Sequence, residues 1–117
     1  MPEAFIYDHV RTPRGKGKAD GSLHEVTALA LATAPLKALK ERNHIKTDTV
    51  DDVIFGVVDP VGEAGGDIAR FAALEAGLGT EVPGVQISRF CASGLDAVNF
   101  AAAQVMEAKA NAEIAGS

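Results

Sequence analysis

Apolar residues along this chain gather into two kinds of run. Three runs are short and nearly unbroken: AFIY at 4–7, DVIFGVV at 52–58 and PGVQIS at 83–88. Unbroken apolarity over so few residues predicts strands covered on both faces, as in a parallel sheet layered between helices. Pro83 suits the first position of its strand, where no ladder hydrogen bond is needed from it. The longer stretches between these runs carry helical spacing. Residues 23–42 place Val26, Leu29, Ala30, Leu36 and Leu39 on one side, with Lys37, Lys40, Glu41 and Arg42 late in the segment, where cations suit the helix dipole. Pro35 predicts a kink or a second helix start, because it cannot donate the interior hydrogen bond. Residues 66–78 repeat Ile68, Phe71, Ala72 and Leu74, and Gly77 marks a stop. A third helix from about Ser93 aligns Leu95, Val98, Ala102 and Val105 and fades over 107–112. AEIAGS at 112–117 reads as the beginning of a fourth strand.

This alternation of strand and helix predicts an α/β fold of βαβ units around a mostly parallel sheet. The 117 residues amount to one domain at most, and the fourth strand ends them mid-pattern, so an incomplete domain is expected. An unfinished sheet leaves an edge and apolar faces uncovered, and these residues alone are expected to fold poorly.

Composition narrows the class. Hydrophobic residues make up 47% and charged residues 23%, the balance of an ordinary globular protein. A net charge of −5 removes any general attraction to nucleic acid or anionic membranes. Apolar runs such as VIFGVV fall far short of the roughly 20 residues that span a bilayer. The first ten residues contain Glu3 and Asp8 and lack a basic region followed by an apolar one, so no signal peptide is read there. A single cysteine forms no internal disulfide, which favours a reducing compartment and a cytoplasmic location.

That cysteine is the main chemical candidate. A strand ending near Phe90 and a helix starting near Ser93 put Cys91 on a strand-to-helix turn, at the sheet edge where open α/β folds bind ligands. Ser93 fits an N-cap and Asp96, three residues later, the acidic partner of a capping box. Ala92 and Gly94 keep the turn uncluttered, so a thioester can approach amides able to stabilise an oxyanion. The dipole alone is worth about 0.3–1 kcal/mol, too little to ionise a thiol at neutral pH. Arg89 lies on the Cys91 side by the two-residue period but cannot shuttle protons. A nucleophilic thiol needs a base, normally histidine, and His9, His24 and His44 are all remote in sequence and expected at surface or capping positions. The residues alone leave two readings of Cys91 open: a nucleophile, or a structural or redox-sensing thiol in a non-catalytic α/β module.

At ISRFCASGLDAVNFAAAQV (87–105) the chain resembles the nucleophile segment of the thiolase family, where a small polar residue, two intervening positions and a cysteine precede a Ser-Gly pair and an apolar helix. VRTPRGKGK (10–18), VDDVIFGVV (50–58) and VGEAGGDIARFAAL (61–74) resemble, in the same order, the family's first loop, second strand, and following loop and helix. The resemblance implies a thiolase-like βαβαβα unit, the N-terminal portion of a longer subunit. It implies an acyl-CoA acyltransferase of fatty acid metabolism, which cleaves 3-ketoacyl-CoA with CoA or condenses two acyl-CoA molecules. Cys91 would carry the acyl group, Ser93 and Gly94 would support its turn, and the Cys91 amide would serve the oxyanion hole. The substrates would be CoA thioesters, with no bound cofactor, and the subunits would pair as a homodimer or homotetramer. The family's base, in a Gly-His-Pro segment, and its second cysteine, in a Cys-x-Gly segment, do not occur in these residues, which are therefore expected to be inactive alone. Asparagine is common in the family at the place of Ser88, and glycine at that of Ala92. A ketosynthase of the same superfamily is the neighbouring alternative, against which the Arg-Thr-Pro loop counts.

Other stretches carry less. RGKGK (14–18) is expected to be a solvated loop, with no CoA contact assigned to it. VGEAGGD (61–67) lacks the Lys-Ser/Thr of a phosphate-binding loop, and neither GKGKAD nor GLGTEV completes a dinucleotide fingerprint. Asp51 and Asp52 are expected in a polar turn, without His or Cys at metal-ligand spacing.

Overall fold

The computed structural model describes residues 3–107 and 109–117. Three helices, α1 (Ala28–Asn43), α2 (Ile68–Glu75) and α3 (Ser93–Met106), alternate with three strands, β1 (Asp52–Gly56), β2 (Gly84–Ile87) and β3 (Glu113–Gly116). The strands form one parallel sheet in the order β2-β1-β3. The expected α/β class with a parallel sheet is present.

The central strand explains why DVIFG reads as unbroken apolarity. Val53 and Phe55 face one side, in a cluster with Leu36, Ala69, Ala72, Ala73, Leu78, Val82 and Ile114 from α1, α2 and the flanking segments. Ile54 faces the other, against Ala97 and Ala101 of α3. Both faces are thus sealed by helices, and every alternate side chain must be apolar.

Several sequence expectations are corrected. AFIY forms no strand: Phe5, Ile6 and Tyr7 are 67%, 79% and 91% exposed. Its neighbour Asp8 is instead held against the end of α1, accepting hydrogen bonds from Arg42 (3.1 Å) and Asn43 (2.9 Å), and the AEIAGS segment supplies the third strand. Of the two outcomes expected at Pro35, the second helix start is not seen: α1 runs continuously through it. The helix begins at Ala28 rather than near 23, with Thr27 as N-cap accepting from the Ala30 amide at 3.1 Å. β2 ends at Ile87, three residues before Phe90.

A further correction concerns which helix faces are buried, although Ile68 and Ala72 of the α2 stripe do lie inside. The larger residues expected to point inward on α3, Leu95 and Val98, are exposed, and so are Phe71 and Leu74 on α2. The buried faces are lined with small residues: Ala97 and Ala101 on α3, and Ala69, Ala72, Ala73 and Ala76 on and just after α2. Small side chains let these helices approach the sheet closely, at the expense of leaving large ones outside. Two glycines make that approach possible. A Cβ on Gly56 at the end of β1 would overlap the Ser93 carbonyl and lie 2.6 Å from the Gly94 amide nitrogen. A Cβ on Gly84 would run into the backbone of Arg70 in α2.

Candidate active site

Because the strands are parallel, their carboxyl ends share one edge, and Gly56 and Ile87, the last residues of β1 and β2, are register partners there. The first turn of α3 rests on this edge at Gly56. Residues 88–92 bridge β2 and α3, and they carry Cys91, a free and exposed thiol. The exposure removes the reading of Cys91 as a small core hydrophobe.

The turn is held by a compact set of hydrogen bonds. The Ala92 amide donates to the Arg89 carbonyl and the Ser93 amide to the Phe90 carbonyl, each at 3.1 Å. The Ser93 hydroxyl, wholly buried, accepts from the Arg89 amide at 2.8 Å and donates to the Phe90 carbonyl at 2.7 Å. Ser93 is therefore not the N-cap. It is the first residue of α3; Ala92 holds the cap position and makes no side-chain bond. The capping box with Asp96 does not form either. Its carboxylate accepts from Arg89 Nε at 2.8 Å, so the two oppositely charged groups beside the thiol are paired with one another. Phe90 sits at φ +50°, a left-handed backbone conformation that costs about 1–3 kcal/mol for such a residue, and its ring is exposed. Arg89 and Cys91 also form an isolated backbone bridge across the turn. Gly94 faces Ser117 just beyond β3, where a Cβ would meet that side chain at 2.8 Å.

The histidines lie on other parts of the molecule. His9 is in the extended N-terminal segment, and its amide donates to Asp8. His24 shares an open cavity of about 460 Å³ with Lys16, Lys18 and Leu23, so the RGKGK loop and His24 form a depression that Cys91 does not line. His44 is the left-handed C-cap of α1. Among the described residues none of the three is hydrogen-bonded to Cys91. Asp51 binds the amides of Asn111 and Ala112, at 2.7 and 3.2 Å, and so ties down the start of β3 rather than lying in a free turn. Asp52 pairs in register with Glu113. Burial, with the charges of Asp52 and Asp51 added, pushes the Glu113 carboxyl up to about 7. No three or more His, Cys, Asp or Glu side chains come together as metal ligands among the described residues.

Sequence reasoning singled out Cys91, Ser93 and Gly94 but passed over Phe90 and Gly56, which shape the same turn. A glycine inside the apolar run VIFGVV is the available signal for Gly56, since such a glycine often marks a close backbone approach. Nothing in the sequence marks Phe90 as left-handed.

The thiolase N-terminal domain family matches residues 4–117, a span that includes every element of this site. This chain belongs to the thiolase family. Over 117 residues, 99% of the chain, it is 43% identical to a beta-ketoadipyl-CoA thiolase of Pseudomonas putida. It is 44% identical over the same length to a 3-oxoadipyl-CoA/3-oxo-5,6-dehydrosuberyl-CoA thiolase of Escherichia coli. A steroid 3-ketoacyl-CoA thiolase of Mycobacterium tuberculosis is 43% identical over 117 residues. The chain spans 29%, 29% and 28% of these relatives, less than a third of each. No helix among the described residues of this thiolase chain is long and apolar enough to cross a membrane.

Proposed function

We propose that this chain supplies the nucleophile of a thiolase-type acyl-CoA acyltransferase, with Cys91 carrying the acyl group. The observation behind this reading is the exposed thiol on the turn between β2 and α3, inside the segment that the family match covers. In the degradative direction the Cys91 sulfur, its proton passed to a base, bonds to the C3 keto carbon of a 3-ketoacyl-CoA. The C2–C3 bond breaks, C2 takes a proton, and acetyl-CoA leaves. Free CoA then attacks the acyl-cysteine, its sulfur bonds to the acyl carbon, and the Cys91 thiol is regenerated. The condensing direction reverses these steps.

The residues of this chain perform part of that work. The Cys91 amide, just ahead of α3, is suited by its position to the oxyanion that forms at the attacked carbon. Gly94 and the packing of Gly56 against the start of α3 hold the turn at the sheet edge. Since His9, His24 and His44 stand on other elements, the base and the second acid-base group come from polypeptide outside these residues, and activity belongs to the longer protein. We further propose a homo-oligomer, which the exposed Leu95, Val98 and Phe100 of α3 support, and a cytoplasmic setting, in keeping with the single free thiol.

The test is intact-mass measurement of the full-length protein after incubation with acetyl-CoA. One acetyl group on Cys91, absent from Cys91→Ala, is the expected result. An unmodified Cys91 that instead forms a reversible mixed disulfide with glutathione would replace this reading with a redox-sensing thiol.

A further inference from the structure

We infer that Ser93 is a positioning residue for Cys91, and that it acts by locking Phe90 in the left-handed conformation that aims the turn. This rests on the reading of Cys91 as the acyl-carrying nucleophile. Three observations carry it. Phe90 has φ +50° and an exposed ring, so no packing of its side chain repays the backbone strain. The groups on either side of that strained residue, the Arg89 amide and the Phe90 carbonyl, are bonded by one hydroxyl, that of Ser93. Ser93 is wholly buried and its backbone packs on Gly56, so the hydroxyl is carried by a residue seated on the end of β1.

The consequence follows from geometry. Phe90 directly precedes Cys91, and rotation of its φ from the left-handed region to the extended region would swing the following residue away from the head of α3. Ser93 opposes this rotation because it would break both bonds of its hydroxyl and leave that buried group unpaired. An N-capping serine would act on the helix; this one acts on the residue before the nucleophile. A serine serving only as small filler would instead be replaceable by alanine.

The experiment is acylation of Cys91 by acetyl-CoA in the full-length protein, followed by mass in Ser93→Ala, Phe90→Gly and the double variant. Ser93→Ala is expected to slow acylation by roughly ten- to a hundredfold, the scale of a misplaced reacting group. Adding Phe90→Gly, which accepts positive φ without strain, is expected to return the rate to that of Phe90→Gly alone. Equal rates for Ser93→Ala and the native protein would overturn the inference, and so would a double variant as slow as Ser93→Ala. Should Ser93→Ala fail to fold, Phe90→Val serves instead. Its β-branched side chain resists positive φ at an exposed place, and slowing supports the inference while an unchanged rate overturns it. The Cys91 amide resonance gives a readout independent of acylation: it should shift in Ser93→Ala and return in the double variant. Absence of acylation in the native protein together with that return would sink the acyltransferase reading alone.

Discussion

The backbone of Gly56 lies directly beneath that of Ser93, close enough that even a methyl group on Gly56 would overlap the Ser93 carbonyl. This contact seats the head of α3 on the end of β1, and with it the thiol two residues upstream of Ser93. Gly56→Ala is expected to destabilise the fold by about 1–3 kcal/mol through overpacking against backbone that cannot move aside. Urea unfolding should show a lower midpoint with an unchanged slope. A neutral result would mean that α3 does not rest on this residue.

The pH dependence of stability should bear the mark of Glu113. Its carboxyl is raised from an ordinary 4.5 to about 7 by burial first, then by Asp52 and Asp51. Asp52 is raised as well, again by burial. Between those values the folded chain holds a proton that the unfolded chain has lost, so stability is full below about pH 4.5 and declines as pH rises through 7. Thermal midpoints from pH 4.5 to 8 should fall along this course, and Glu113→Gln should flatten it. Asp8 works in the opposite sense: hydrogen bonds from Asn43 and the His9 amide lower its carboxyl, so its contribution is lost only in more acidic solution.

His44 ends α1 in the left-handed region at φ 50°, where its exposed side chain gains nothing that offsets the strain. His44→Gly is expected to raise stability by about 0.4–1 kcal/mol, since glycine adopts this conformation freely. A calorimetric midpoint that falls would contradict this account of the cap.

Arg89 and Asp96 pair at 2.8 Å beside the thiol, yet Arg89 is 70% exposed. Breaking the pair with Asp96→Asn should therefore cost about 0.2–1 kcal/mol or less. The difference should vanish in 1 M salt, where charges are screened within roughly 3 Å. A loss above that range, insensitive to salt, would give the pair a structural role that its exposure denies.

Some of this was legible in the sequence and some was not, for reasons that attach to particular residues. DVIFG announced a strand covered on both sides, because Val53, Ile54 and Phe55 must each meet a helix on one face or the other. AFIY is as unbroken in its apolarity but found no partner strand among the described residues, since apolarity signals a tendency to burial and not the neighbour that provides it. Helical periodicity located α2 and α3 but was only partly right about their faces: Ile68 and Ala72 are buried, while Phe71, Leu74, Leu95 and Val98 are exposed. It weights large residues such as Leu95, whereas these helices bury alanines to come close to the sheet. Cys91 was identified from its small neighbours, and the family match covers its segment. The role of Ser93 was misjudged: a serine before a helix and an acid three residues on make a cap pattern. The hydroxyl found nearer partners in the turn, and Arg89 claimed the acid.

The order of the strands has a kinetic consequence. The middle strand β1 comes first in sequence, and its two partners arrive late: Asp51, just ahead of it, holds the amide of Ala112, 61 residues onward. Each ladder must therefore close a long loop before any of its contacts stabilise it, which slows barrier crossing relative to a helical bundle of the same size. The ledge under Cys91 needs β1 and α3 to be docked already, so the thiol gains its setting only once these long-range contacts have closed.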